Sequence, residues 1–162
     1  MIILDASSAI LLAKAELLDA FIDAVEQAVA MPREVRKECG GRDSLDARLI
    51  ARAIEEKRIA VKAADRRAVQ RLTSDFGLGR EEAAAIALAA PKGALVATDD
   101  RRAIQACKVL RIPFTTAISV LTRMREKGLL SREEALEKLE RLARDGRYKK
   151  EIIAAARAEL EK

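Results

Sequence analysis

Short apolar runs alternate with longer segments of helical periodicity along most of the chain. Residues 2–4 form one such run, which ends at an aspartate, and residues 28–31 and 94–97 have the same character. Continuous apolar runs of this length are typical of strands that are covered on both faces. Residues 59–61 and 112–115 predict two further strands, the second at an edge because it contains a proline.

Helices are predicted between these runs and after them. Residues 83–90 are almost entirely apolar, which is typical of a helix buried on every side. Pro32 fits the first position of a helix, and Thr98 is a candidate N-cap for the helix that follows the fourth strand. Ser131 and Glu134 have the spacing of a capping box, and the chain from there to its end is predicted to be helical.

This alternation predicts an α/β fold, a three-layer α/β/α sandwich around a mainly parallel sheet of about five strands. The chain has 162 residues, which is enough for one sizeable core. Residues 1–127 are predicted to form the sandwich. Residues 128–162 are predicted to form a C-terminal helical extension that packs on this domain or on a dimer partner.

The absence of histidine narrows the chemistry open to this chain. A Ser-His-Asp triad, a Cys-His dyad and a histidine-bound zinc site are all excluded. Two cysteines, Cys39 and Cys107, do not make a disulfide framework and indicate a reducing compartment. No basic segment precedes the apolar N-terminus, and no apolar run approaches the roughly 18 residues of a membrane span. We therefore expect a cytoplasmic location and no membrane contact.

Carboxylate side chains remain as the candidate catalytic and metal-binding groups. They follow the predicted strands or lie on the adjacent helices: Asp5, Glu38, Glu81, Glu82, Asp99 and Asp100. Function in open parallel sheets lies at the carboxyl ends of the strands, and oxygen ligands at this density suit Mg²⁺ or Mn²⁺. Such an ion favours hydrolysis of a phosphodiester by metal-activated water. Taken singly, each acid is also compatible with a helix cap or a solvated helix face.

Four segments that contain these acids resemble, in order, the motifs of PIN-domain nucleases, close to VapC-like toxins and their archaeal relatives. Residues 3–10 resemble the opening strand with its aspartate, and residues 32–38 resemble the P-x-x-V-x-x-E segment. Residues 78–88 resemble the helix start L-G-x-G-E-x-x-A-I-A-L, and residues 96–100 resemble v-a-T-x-D. The chain departs from the toxins at Glu82, where an aspartate is common.

The resemblance implies a carboxylate-bound Mg²⁺ or Mn²⁺ as the cofactor. Asp5 and Asp100 are then the expected direct ligands, and Asp99 and Glu82 bind directly or through water. Glu38 is expected to orient the water or a second ion. All five acids are candidate catalytic residues.

The substrate implied by the resemblance is RNA. Ser7 or Ser8 is expected to hold a carboxylate or the substrate phosphate, while Arg36 and Arg101 are candidates for gripping phosphates. The sequence has no row of aromatic residues on which bases could stack, so we expect the protein to recognise the backbone and shape of the RNA. The family further implies a homodimer and a small antitoxin protein as partner.

The leading hypothesis is therefore a metal-dependent ribonuclease that serves as the toxin of a toxin–antitoxin pair. A catalytically silent PIN-like module that acts in interaction or assembly is the main alternative. A receiver-like phosphotransfer domain is disfavoured, because receivers keep their acidic pair near the first strand.

Overall fold

A five-stranded parallel sheet forms the centre of the computed structural model, which describes residues 1–162. The strands follow the order β3-β2-β1-β4-β5, and every neighbouring pair is parallel. Their bounds are β1 (Ile2–Leu4), β2 (Val29–Pro32), β3 (Ala60–Lys62), β4 (Leu95–Ala97) and β5 (Phe114–Thr115). The predicted α/β/α sandwich is confirmed, and β5, which follows Pro113, is one of the two edge strands.

Ten α-helices connect and cover the strands. Their bounds are α1 (Ala6–Lys14), α2 (Leu18–Ala24), α3 (Arg33–Gly40), α4 (Leu45–Glu55), α5 (Arg66–Phe76), α6 (Arg80–Ala89), α7 (Arg101–Leu110), α8 (Ala117–Glu126), α9 (Arg132–Asp145) and α10 (Lys150–Leu160). None of these helices is long and apolar enough to cross a membrane.

Two helix starts differ from the sequence prediction. Pro32 closes β2 and is the N-cap of α3 rather than its first helical residue, because its ψ of 157° is extended. Thr98 was wrongly predicted as the N-cap of α7. Asp100 takes that position, since its side chain accepts a hydrogen bond from the backbone N–H of Ala103. The capping box of Ser131 and Glu134 is confirmed at the start of α9.

The alternation of side chains along the strands divides the core between the two faces of the sheet. Ile3 and Val96 belong to the cluster on one face, where the apolar helix α6 lies against them. Leu4 and Ala97, one residue further along, belong to the larger cluster on the other face together with α1. Both faces of the short strands are therefore covered, as their continuous hydrophobicity predicted.

Helices α9 and α10 contribute side chains to the core. Leu139 in α9 and Leu160 in α10 are buried in the cluster that contains Leu12 of α1 and Leu121 of α8. Residues 128–162 thus complete the core on one face of the sheet, and α9 and α10 are held there by apolar burial.

Truncation of Leu139 tests the dependence of the fold on this packing. Leu139 is fully buried, so Leu139→Ala should lower the free energy of unfolding by about 2–5 kcal/mol. Leu45, which is 60% exposed at the start of α4, provides the matched control, and Leu45→Ala should change stability by less than about 0.5 kcal/mol. Urea denaturation measures both, and equal effects would contradict the packing.

Candidate active site

The carboxylate of Asp5 is the most buried charged group at the carboxyl ends of the strands. Its residue is 1% exposed, and its backbone N–H donates to Ala97 of β4 at 3.0 Å. Oδ1 accepts from the Ser7 hydroxyl at 2.8 Å and from the Ser8 N–H at 3.0 Å, while Oδ2 accepts from the Thr98 hydroxyl. Asp5 is therefore both the N-cap of α1 and a link between β1 and β4.

The environment of Asp5 favours its neutral form in the absence of a cation. Burial raises the pKa of Asp5 to about 7, because loss of hydration disfavours the charged carboxylate. The hydrogen bonds from Ser8, Thr98 and Ser7 favour the charged form but offset only part of this effect. A nearby positive charge would stabilise the charged form of Asp5, and none is present.

Asp100 lies beside Asp5 and shares a partner with it. The Asp100 N–H donates to Thr98 Oγ1 at 3.1 Å, and the same hydroxyl donates to Asp5. Oδ1 of Asp100 accepts from the Ala103 N–H at 2.9 Å, as the cap of α7. Thr98 thus holds the two acidic residues in a fixed relation, and this role was not predicted from the sequence.

Glu82 and Glu38 approach the same place from α6 and α3. Burial raises the pKa of Glu82, and the negative charges of Asp100, Glu81 and Glu38 raise it further. Its carboxylate folds back over Gly79, where an added Cβ would lie 2.3 Å from Oε2. Glu82, Asp100 and Glu38 are therefore linked electrostatically, while Asp5 is linked to Asp100 through the Thr98 hydroxyl.

Asp99 differs from the other predicted ligands, because its carboxylate is held by donors from three other parts of the chain. Oδ2 accepts from the Ser8 hydroxyl at 2.6 Å, and Oδ1 accepts from the hydroxyl of Tyr148. The Ala117 N–H, at the start of α8, lies 3.1 Å from both oxygens. This arrangement does not favour the predicted role of Asp99 as a metal ligand.

The two serines bind carboxylates in the structure. Ser7 Oγ donates to Asp5 and accepts from the Asp99 N–H at 3.0 Å. Ser8 is fully buried, and its hydroxyl donates to Asp99. Of the two predicted roles for these hydroxyls, holding a carboxylate is therefore the one with a visible geometry.

A charged cleft of about 790 Å³ opens beside Glu38 and contains no hydrophobic residue. Its charged lining consists of Arg33, Glu34, Lys37, Glu38, Arg42, Arg80 and Glu81. None of the four cations takes part in a salt bridge. Arg36 lines a neighbouring depression with Arg33, and Arg101 is exposed at the start of α7. The cations are therefore free to meet an anionic ligand.

The cysteines take no part in this chemistry. Both are buried, and burial raises the pKa of Cys39 to about 12 and that of Cys107 to about 11. Because the thiolate is the nucleophile and these thiols stay protonated near neutral pH, neither is suited to nucleophilic catalysis.

The comparison with protein families decides the identity of the fold. The model of the family DUF3368, described as a PIN domain, matches residues 1–162. The chain belongs to the PIN-domain family. PIN domains are generally nucleases that act on nucleic acid, and they usually use a divalent metal ion. No curated protein and no solved structure gives a significant match.

The donor set of this PIN domain suits a divalent metal in its chemistry. Asp100 Oδ2 accepts no hydrogen bond from the protein, and Glu34 Oε2 is buried in the cleft wall without a partner. Such oxygens are expected where a cation or its water completes the site. No group of three or more acidic or cysteine side chains is close enough together to hold an ion.

Two residues around this site carried no useful sequence signal. Thr98 was assigned to a helix cap, although its place one residue after β4 puts its hydroxyl next to Asp5. Tyr148 was predicted to lie in the last helix, but it precedes α10 and reaches Asp99. It is the only tyrosine in the chain, but nothing in the sequence around it indicates that it lies near residue 99.

The buried carboxylate makes a prediction for the pH dependence of stability. With a pKa of about 7 in the folded protein and about 3.9 unfolded, Asp5 keeps its proton in the fold while the unfolded chain loses it. Stability of the metal-free protein should therefore fall as pH rises from about 4 to 7, by up to about 4 kcal/mol, and level off above.

Asp5→Asn should remove this decline, because the amide cannot ionise. Its oxygen can still accept from Ser7 and Ser8, and its NH₂ can donate to Thr98. Urea denaturation in EDTA at pH 4.5 and pH 8 measures the difference, with Asp43→Asn at an exposed position as control. An unchanged pH dependence in Asp5→Asn would contradict the buried, proton-retaining carboxylate.

Proposed function

We propose that this PIN domain is a ribonuclease that hydrolyses RNA phosphodiester bonds with Mg²⁺ or Mn²⁺. The observation that supports it most is the Thr98 hydroxyl, which joins Asp5 at the end of β1 to Asp100 just after β4. The negative charges of Asp100 and Glu38 also raise the pKa of Glu82, beside the larger effect of its burial, as repulsion between neighbouring carboxylates does. A cation offsets such repulsion.

Asp5 and Asp100 are the proposed direct ligands, with Glu82 binding directly or through water. The ion would supply an activated water and offset charge on the phosphate. Ser7, Ser8 and Thr98 orient the Asp5 carboxylate through the three hydrogen bonds described above. Such fixed partners set the orientation of a ligand before binding. Glu38, which lines the cleft, is the residue proposed to orient the attacking water.

The charged cleft is the proposed path of the substrate backbone. Arg33, Lys37, Arg42 and Arg80 line it, and none is neutralised by a salt bridge. Cations at such positions bind phosphates without reading the base sequence. No aromatic side chain lines this cleft, which supports recognition through backbone and shape.

A role as the toxin of a toxin–antitoxin pair extends this proposal. It rests on the resemblance of the motifs to VapC-like toxins, which also supports a homodimer, a small antitoxin partner and the choice of RNA over DNA. The unpaired cysteines support a cytoplasmic location.

The silent PIN-like module remains a second candidate because of one observation. No three carboxylates of the structure lie close enough to hold a metal ion. If the side chains keep this separation when Mn²⁺ is added, the domain would serve interaction rather than catalysis.

Cleavage of an end-labelled random RNA pool tests the nuclease. Wild type should cleave with Mn²⁺ and stop in EDTA. Asp5→Asn and Asp100→Asn should each lower the rate at least about 100-fold, because each removes a ligand charge. Asparagine is a good N-cap, so both variants should keep their helices.

Asp43→Asn is the control and should cleave as wild type does, because Asp43 is exposed and does not itself line the cleft. Calorimetry with Mn²⁺ gives an independent measurement. If wild type neither binds Mn²⁺ nor cleaves, the silent module is favoured. An active Asp5→Asn enzyme would be incompatible with the proposed site.

Charge reversal in the cleft tests the path of the substrate. Arg42→Glu should raise KM for RNA about tenfold and change kcat less than about twofold, because it alters phosphate binding and not the metal site. Arg71→Glu, on α5 outside the cleft, should leave KM within about twofold. Steady-state kinetics at low salt measures both KM values. Equal effects of the two substitutions would mean that the cleft is not the binding path of the RNA.

A further inference from the structure

The segment between α9 and α10 reaches back to the acidic site through one hydroxyl group. Tyr148 lies in this connection, and its hydroxyl donates to Oδ1 of Asp99. Asp99 precedes Asp100, a proposed ligand, and 49 positions separate it from Tyr148 along the chain. A side chain of the C-terminal region therefore contacts the loop that carries the proposed ligand Asp100.

From Asp99 the contacts continue to Asp5. Asp99 Oδ2 accepts from the Ser8 hydroxyl at 2.6 Å, and the Asp99 N–H donates to Ser7 Oγ at 3.0 Å. Ser7 Oγ and the Ser8 N–H in turn donate to Asp5 Oδ1, at 2.8 and 3.0 Å. Two short paths of hydrogen bonds thus join Asp99 to the carboxylate of Asp5.

The connection between the two helices is built around the tyrosine ring. Gly146 ends α9, and a Cβ at this position would lie 2.4 Å from Cε2 of Tyr148 and 2.8 Å from the Leu142 carbonyl oxygen. Only a residue without a side chain lets the ring take this place. The position of Tyr148 is therefore set by sterics of its own segment as well as by Asp99.

We propose that Tyr148 is a positioning residue of the metal site, acting through Asp99 on Ser7, Ser8 and finally Asp5. In this arrangement Asp99 serves as an intermediate support and not as a ligand. Its oxygens are occupied by the Tyr148 hydroxyl, the Ser8 hydroxyl and the Ala117 N–H. The C-terminal helices thereby contribute to the geometry of the site as well as to the core. This inference rests on the proposed metal-dependent cleavage.

Tyr148→Phe removes the hydroxyl and keeps the ring against Gly146. Loss of a group that orients a metal ligand commonly costs about 10-fold to 100-fold in metal affinity or activity. We expect Mn²⁺ affinity, measured by calorimetry on the metal-free protein, to fall at least about tenfold. In RNA cleavage kcat should fall by a similar factor while KM stays within about twofold, because the cleft is untouched.

Leu160→Ala is the matched control, since it removes fully packed apolar contacts of α10 without touching Asp99. Both variants are measured at a temperature where denaturation curves show them folded. Leu160→Ala should leave Mn²⁺ affinity within about twofold of wild type, although it destabilises the fold. Gly146→Ala, which displaces the ring, should reproduce the loss seen in Tyr148→Phe.

The outcomes separate this inference from the function on which it rests. Wild-type binding and cleavage together with unchanged Mn²⁺ affinity and kcat in Tyr148→Phe would overturn the positioning role alone. An equal loss in Leu160→Ala would overturn it too, because the effect would then follow general stability. No Mn²⁺ binding by wild type would overturn the proposed function and this inference with it.

Discussion

The burial of the Asp5 carboxylate at the junction of β1 and β4 is the constraint on which the rest of the site depends. The group caps α1 and receives hydrogen bonds from Ser7, Ser8 and Thr98, yet its pKa is still raised to about 7. An ionisable group held in this way costs stability near neutral pH unless a cation compensates it. The fold therefore carries an unfavourable group at the place where parallel sheets bind their ligands.

The electrostatics of the surrounding acids follow from the same constraint. Asp100 is held by Thr98 next to Asp5, and the charges of Asp100 and Glu38 act on Glu82 from two other elements. The unpaired cations of the cleft lie on the Glu38 side, along the proposed path of the phosphate backbone. Carboxylates that repel one another and unpaired cations are therefore neighbours in this structure. Together they suit the binding of a metal ion and of an anionic polymer.

The C-terminal helices belong to this arrangement in two ways. Leu139 and Leu160 bury their side chains in the core beside α1, the helix that Asp5 caps. Tyr148, between them in the chain, bonds to Asp99 on the loop of Asp100. The position of α1 and the position of the acidic loop are thus both supported by the same segment.

Local patterns were sufficient for the strands and the buried helix α6, because apolar periodicity is a property of neighbouring residues, and they placed Asp5 and Asp100 just after β1 and β4. The same patterns misplaced the cap of α7 at Thr98, since a threonine before a helix gives no sign that its hydroxyl is taken by a carboxylate 93 positions away. These patterns also made Asp99 a candidate metal ligand alongside Asp100. Which of two adjacent carboxylates is occupied by hydrogen bonds depends on donors from α1, α8 and Tyr148, and those donors meet only in the folded chain.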